Sequence, residues 1–204
     1  MAIGLFIYPA AGSTESSEPR IAMSQTDQKP PEQHYHLSSY RLTDVDEAFR
    51  HLSNPAVTKY LRTVPTPFTR RDALNYYYYL QQELQTNPRG AKLNFTIREN
   101  TTDKAVGGIR LALDGETWEL GYWLGEEHWG QGIMTWACKA ALRIAKGEGI
   151  KKIYAAPRQE NGASRRVLEK NGFRHVRDEQ HYYPADNKMY DVWIFELDLA
   201  NGGD

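Results

Sequence analysis

Glu119-Leu-Gly-Tyr-Trp-Leu-Gly-Glu-Glu-His-Trp-Gly-Gln-Gly-Ile-Met-Thr135 reads as a strand, a short glycine-punctuated loop and the opening turn of a helix. That order of elements makes an anion site, because free backbone N–H groups and the positive end of the helix dipole converge at the loop. Gly130 and Gly132 let the main chain lie close to a phosphate where a side chain would collide. The strand before the loop carries information as well. With period-two alternation Glu119, Gly121 and Trp123 share one face, and Leu120, Tyr122 and Leu124 share the other.

The helix after the loop has the clearest periodicity in the chain. Ile133, Ala137, Ala141 and Ala145 form one apolar row, Met134, Cys138 and Leu142 the adjacent row, and Lys139, Arg143 and Lys146 the polar side. Gly147 and Gly149 stop it. Upstream, the pattern predicts a strand over 34–41, a helix capped by Thr43 running to Leu52, and a short helical piece from Asn54-Pro55 to Tyr60. A helix capped by Thr69 follows over 70–85 and ends at Asn87-Pro-Arg-Gly90. Strands are expected at 93–98, 104–113 and 117–124, joined by the turns 99–103 and 114–116. Downstream come a strand at 152–156, a helix at 162–171 closed by Gly172, and strands at 173–176 and 190–197 around a polar loop. Four consecutive tyrosines, Tyr76 to Tyr79, lie on one predicted helix at ~100° steps, so they cannot all face the core. Antiparallel meanders followed by a β-α-β unit imply a mixed sheet with helices on both faces.

Composition bounds the function classes. A chain of 204 residues with 40% hydrophobic and 25% charged residues reads as one domain with a self-sufficient core. A formal net charge of -1 gives no support for a broad nucleic-acid surface. A single cysteine, Cys138, excludes an internal disulfide and any multi-cysteine zinc site, and a reducing, cytoplasmic setting is the simple expectation. Its place in the apolar row makes it a packed core thiol rather than a nucleophile. The histidines show no metal-ligand spacing, so no metal is expected, and no membrane span is legible. Residues 11–33 are rich in Ser, Glu, Gln and Pro, so 1–33 is assigned as a disordered N-terminal tail in which Met23 is an alternative start; the domain is assigned to 34–200.

In its order of elements and in several separate segments, the chain resembles the GCN5-related N-acetyltransferase (GNAT) superfamily, and within it the RimJ/RimL-type ribosomal-protein alanine acetyltransferases. The segments are Asn54-Pro-Ala-Val-Thr-Lys-Tyr-Leu61, Phe95-Thr-Ile, Val106-Gly-Gly-Ile-Arg-Leu, Glu119-Leu-Gly-Tyr-Trp-Leu, Trp129-Gly-Gln-Gly, and Asn161 through Phe173. The resemblance implies an α/β (α+β) fold: a mixed, mostly antiparallel seven-stranded sheet with helices on both faces. It also implies acetyl-CoA as cosubstrate, with pyrophosphate on Trp129, Gly130, Gln131, Gly132, Ile133, Met134 and Thr135. Trp129 and Met134 depart from the superfamily's Gln/Arg-x-x-Gly-x-Gly/Ala pattern; since the donors are main-chain N–H groups, packing should change more than binding. The strand through Tyr122, Trp123 and Leu124 would splay from its neighbour and hold the pantetheine, with an N–H near Trp123 or Leu124 polarising the thioester carbonyl. Asn161 matches a pantetheine-contacting position. Lys139, Arg143 and Arg165 are either phosphate contacts or solvated helix faces.

Acyl transfer to an amine needs a neutral amine, a polarised carbonyl and a protonated leaving thiolate. Glu119 is the candidate base, against a structural carboxylate as the other reading. Many superfamily members place a thiolate-protonating Tyr where Leu168 stands here; Ser164, three residues after Asn161, is the candidate donor, against a serine bonding its own helix turn. The segment 61–69 is expected to border the acceptor site, with Trp118, His181, Tyr182 and Tyr183 on the opposite wall. The implied function is direct acetyl transfer to a primary amine, a protein N-terminus or a small molecule, by a monomer or homodimer. The alternative is a non-catalytic acyl-CoA-binding module.

Overall fold

The computed structural model describes residues 31–87 and 93–200. The expected tail over 1–30 with Met23 and the helix stop at Pro88-Arg89-Gly90 lie outside these residues; Pro31–Gln33 form a 3-10 turn. In chain order the elements are β1 (Tyr35–Ser38), α1 (Val45–Leu52), α2 (Pro55–Thr58), α3 (Arg70–Thr86), β2 (Asn94–Glu99), β3 (Ala105–Asp114), β4 (Thr117–Leu124), α4 (Ile133–Gly147), β5 (Lys152–Ala155), α5 (Gly162–Lys170), β6 (Arg174–Tyr183) and β7 (Lys188–Asp198). The strands form one seven-stranded sheet in the order β1-β2-β3-β4-β5-β7-β6. Every pairing is antiparallel except β4 with β5, which the α4 crossover makes parallel.

The alternation along β4 divides the molecule. Leu120, Tyr122 and Leu124 sink into the main core with the apolar rows of α4, namely Ile133, Met134, Ala137, Cys138, Ala141, Leu142 and Ala145, and with Val167 and Leu168 of α5. Trp123 points the other way, into a second cluster with Leu52, Val57, Leu61 and Val64 beneath α1 and α2. The two glycines of Val106-Gly-Gly-Ile are what let β4 come so close. A Cβ on Gly107 would stand 2.7 Å from the Trp123 carbonyl, and one on Gly108 2.7 Å from the Trp123 indole nitrogen.

Two elements differ from the sequence-based expectation. The N-cap expected at Thr43 falls on Asp44, because Leu42–Asp44 first makes a 3-10 turn. The Asp44 carboxylate accepts the Arg41 N–H at 2.7 Å and both guanidinium arms of Arg98. The polar loop expected within 177–189 is instead most of a long hairpin, since cross-strand pairs such as Gln180–Asp191 and Arg177–Glu196 let polar residues occupy strands at the sheet edge. Among the tyrosines, Tyr77 packs on Val45, Ala48 and Ala73, Tyr76 stacks on Tyr79, and Tyr78 is exposed at 59%. No helix among the described residues is long and apolar enough to cross a membrane.

Arg98 and Asp44 are 1% and 2% exposed and tie β2 to the start of α1. Removing one partner leaves an uncompensated buried charge, so Arg98→Met should lower the unfolding free energy by about 3–5 kcal/mol, and Arg98→Met/Asp44→Leu should lower it less; urea denaturation of both variants measures the difference.

Candidate active site

β4 and β5 pair only at Trp118–Ile153 and Glu119–Tyr154. Beyond that point the chain after β5 follows β7 instead: Trp193 N–H donates to Pro157 O at 3.0 Å, Gln159 N–H to Asp191 O at 3.0 Å, and Arg158 bridges Val192. A wedge therefore opens between β4 and β5 with Glu119 at its apex. Main-chain direction in the wedge follows from register. Gly125 N–H donates to Val106 O, so Gly125, Trp123 and Gly121 turn their main-chain groups toward β3, and Leu124, Tyr122 and Leu120 turn theirs toward the β5 side.

The glycine loop closes the wide end. Gly130 and Gly132 both take φ +75°, and Gly132 caps α4 without any side-chain capping bond. A cavity of about 230 Å³ lies against Leu124, Gly130, Gly132, Met134, Thr135 and the α5 residues Arg166 and Lys170. Trp129 does not face this cavity; its indole donates to Leu124 O at 2.8 Å and packs on both cores, latching the loop to the end of β4. Gln131 donates to Glu127 O, bracing the loop from within. Ile133 and Met134 are buried with α4's core face, and both also line the cavity. Of the expected phosphate contacts, Lys139 and Arg143 are exposed on α4, and Arg165 pairs with Glu169 and stacks over Trp193. The basic residues that line the cavity are Arg166 and Lys170. One helical step of ~100° separates Arg165 from Arg166, which sequence periodicity alone did not resolve.

At the α4–α5 side of the wedge, Tyr122 and Ser164 meet. Their hydroxyl oxygens are 2.8 Å apart, and both residues are about 1% exposed. Asn161 sets this contact: its side-chain oxygen accepts the Ser164 N–H at 3.0 Å as the cap of α5. The Asn161 Nδ2 is buried without a partner among the described residues. A buried amide donor, a positive-φ glycine loop over a basic cavity and a strand turned toward an open wedge together fit an elongated, phosphate-bearing ligand with amide acceptors.

Glu119 faces the α1–α3 side. It is 3% exposed, and Arg62, from the segment after α2, donates to it at 3.0 Å. Arg62 also donates to His181 Nδ1 at 3.2 Å, and His181 Nε2 contacts Glu179 at 3.1 Å. Burial lifts the Glu119 pKa, Arg62 counteracts it, and Asp114 raises it further, for a net rise above the usual carboxylate value. Of the expected wall residues, His181 is here, Tyr183 is buried against Arg158, and Tyr182 is exposed and bonds Asn187. Trp118 belongs to the opposite face, packed on the main core, because it alternates with Glu119. Arg158 was not singled out by sequence. It lies over the Tyr60, Tyr183 and Tyr190 rings and donates to Lys59 O, so it ties the segment bearing Arg62 to the hairpin bearing His181.

The fold also gathers histidines that the sequence leaves far apart. Ligand atoms of His51, Glu127 and His128 lie within 4.8 Å of one another. The cation facing them is Arg50, which donates to Glu127 at 2.7 Å and to His51 Nε2 at 2.9 Å. His51 packs so closely on Gly125 that a Cβ there would stand 2.3 Å from Nδ1. Burial, then the Arg50 charge, pushes the His51 pKa down to about 4. A pKa depressed below its unfolded value near ~6.5 stabilises the fold above that pH, and the contribution is lost as pH falls toward 4. Unfolding free energy should therefore decline by roughly 2–3 kcal/mol more between pH 6.5 and 4 in the wild type than in His51→Phe, as read from urea curves at each pH.

Comparison with known proteins accords with this geometry. A family profile described as the acetyltransferase (GNAT) domain matches residues 35–174. The N-acetyltransferase p20 of Bacillus licheniformis is 30% identical over 170 residues, 79% of this chain and 90% of that protein. A ribosomal-protein-serine acetyltransferase of Escherichia coli (strain K12) is 29% identical over 115 residues, 50% of this chain and 64% of that protein. Among solved structures, the spermidine N-acetyltransferase from Vibrio cholerae, in complex with CoA and spermine, superposes with a TM-score of 0.65 at 16% identity, covering 82% of this chain and 97% of that one. The chain is a member of the GNAT acetyltransferase family, with relatives of the RimJ/RimL type.

Proposed function

We propose that this N-acetyltransferase transfers acetyl directly from acetyl-CoA to a primary amine across the β4–β5 wedge, with Glu119 taking the amine proton and the Tyr122–Ser164 pair supplying one. The observation that carries this reading is the placement of those groups on opposite faces of a single strand at one opening. Acetyl-CoA, when bound, supplies the activated thioester. The chain's own residues do the rest. Gly130, Gly132, Thr135 and the basic Arg166 and Lys170 would hold the phosphates, and the Asn161 amide and the main-chain groups of Tyr122 and Leu124 the pantetheine. Leu124 rather than Trp123 is the oxyanion donor in this reading, because the Trp123 N–H is directed at β3. The CoA-bound neighbour supports the donor assignment.

The acceptor approaches from the α1–α3 side. An α-amino group with pKa near ~8 costs roughly 1–1.5 kcal/mol to deprotonate at pH 7, and a lysine near ~10.4 about 4–5, so a carboxylate base suits the former. Arg62 favours the charged form of Glu119, opposing the rise that burial causes. Glu119 is thus proposed as the base, Arg62 as the residue that sets its pKa, and a protein N-terminus or small amine as the acceptor. A reducing, cytoplasmic setting suits a chain whose single cysteine, Cys138, is fully buried with its thiol pKa pushed up by burial.

Glu119→Gln should lower kcat/KM by about 100-fold or more for the best amine acceptor. Arg62→Met removes the cation that lowers the Glu119 pKa, so the acidic limb of the kcat/KM–pH profile should move to higher pH; an unmoved limb rejects Glu119 as the base. Tyr122→Phe and Ser164→Ala should each lower kcat about tenfold, and the double variant little further, because the two hydroxyls act as one donor. A protein that binds CoA yet releases no thiol with any amine would favour the binding-module reading.

A further inference from the structure

A second cavity lies on the Glu119 face of the sheet, under α1 and α3, and the donor site has no part in it. Its floor follows from the register: Asn94, Arg110 and Gly121 stand in one row across β2, β3 and β4, with Thr96, Gly108 and Trp123 in the next. Two glycines in adjacent rows hollow the sheet surface, and Leu52, Phe68, Leu80 and Trp123 make the walls mostly apolar. Phe68 comes from the segment between α2 and α3, which also carries Arg62. Gly121 lies two residues along β4 from Glu119, about 7 Å away at strand rise.

Arg110 is the one guanidinium on this cavity among the described residues, and it is 6% exposed. Its Nη2 donates to Tyr79 OH at 2.9 Å and to Glu83 at 3.1 Å, and the Tyr76 hydroxyl also lies near the guanidinium, while Nε and Nη1 have no hydrogen-bond partner among the described residues. Buried donors of this kind are rare in folded proteins, because each one left unsatisfied forfeits its hydration without return. Glu83, 9% exposed, already balances the Arg110 charge. A carboxylate entering the cavity would therefore bring an uncompensated second anion into a low-dielectric site, whereas a neutral oxygen would not. The cavity volume is about 50 Å³, which by the ~15 Å³ needed for one water gives room for about three small atoms or groups.

We propose that this cavity is an acceptor subsite that takes a compact neutral carbonyl group, an amide or ester borne next to the reacting amine, on the Nε and Nη1 donors of Arg110. The cavity's chemistry stands by itself, but its assignment to the acceptor rests on the transferase reading above. Amines with a neighbouring neutral carbonyl are then preferred over plain alkylamines and over free amino acids, whose carboxylate meets Glu83 as a like charge.

Calorimetric titration of the CoA-loaded protein with alaninamide, ethylamine and alanine tests this directly. The expected order places alaninamide about tenfold or more tighter than either of the others. Arg110→Lys keeps the charge beside Glu83 but loses the planar fork, and Arg110→Met/Glu83→Leu removes both charges; each should weaken alaninamide at least tenfold while CoA affinity, measured first as the check of fold, stays within about twofold. Alaninamide binding the wild type no better than ethylamine overturns the proposal without recourse to any variant. Equal alaninamide affinity in a variant that retains CoA binding overturns it as well. Alaninamide bound in the expected order but never acetylated leaves the Arg110 site standing and removes the transferase reading; acetylation with no preference does the reverse.

Discussion

The parting of β4 from β5 after Glu119–Tyr154 is the constraint from which the rest of the site follows. A central strand that loses its neighbour within a sheet presents N–H and C=O groups in a place where main-chain groups are normally paired. Here the separation is held by what each strand does instead. The chain beyond β5 keeps its bonds to β7 through Pro157 and Gln159, and β4 is anchored on its far side by continuous pairing to β3. Trp129 fixes the end of β4 by bonding the Leu124 carbonyl, and Tyr122 reaches across to Ser164 at the start of α5. Each contact keeps the wedge open, so the candidate ligand site is an interruption of the sheet rather than a hollow on its surface.

Because strand residues alternate, that interruption separates two kinds of chemistry. The α4–α5 side carries buried hydroxyls, the capping amide of Asn161 and the glycine loop. The α1–α3 side carries charge: Glu119 with Arg62 and His181, Arg110 with Glu83, and Arg98 with Asp44. The buried ion pairs on this side are more useful as positioning devices than as stabilisers, since burying charge opposes much of the attraction gained. Arg158, set among three tyrosine rings, performs the same service for the two walls above Glu119. The cationic stem fills an aromatic space that a neutral side chain would occupy without orienting anything.

Much of this was legible in the chain. The apolar rows of α4, the capping of α3 by Thr69, the helical restart at Asn54-Pro55 and the boundaries of β4 all matched their patterns, because each is fixed by neighbours within one or two turns. Where competing local signals were close in strength, the pattern failed. Thr43 lost the cap to Asp44 once Arg98, 54 residues away in sequence, claimed the Asp44 carboxylate. The hairpin of β6 and β7 was shortened in the sequence reading because its polar residues are made compatible with strand only by partners across the ladder. That Arg166 rather than Arg165 lines the cavity was not legible, because the helix face that meets it is set by packing on α4.

The sequence by itself determined the donor side: a strand, a positive-φ glycine loop and a helix start are contiguous residues, and their physics is that of local backbone geometry and helix-end electrostatics. Only the tertiary structure decided what surrounds that segment. The Tyr122–Ser164 contact joins residues 42 positions apart, Arg62 reaches Glu119 across 57, and Arg110 finds Glu83 across 27. Side-chain pairs of that separation depend on sheet register and on which helix covers which face, quantities that no local period encodes.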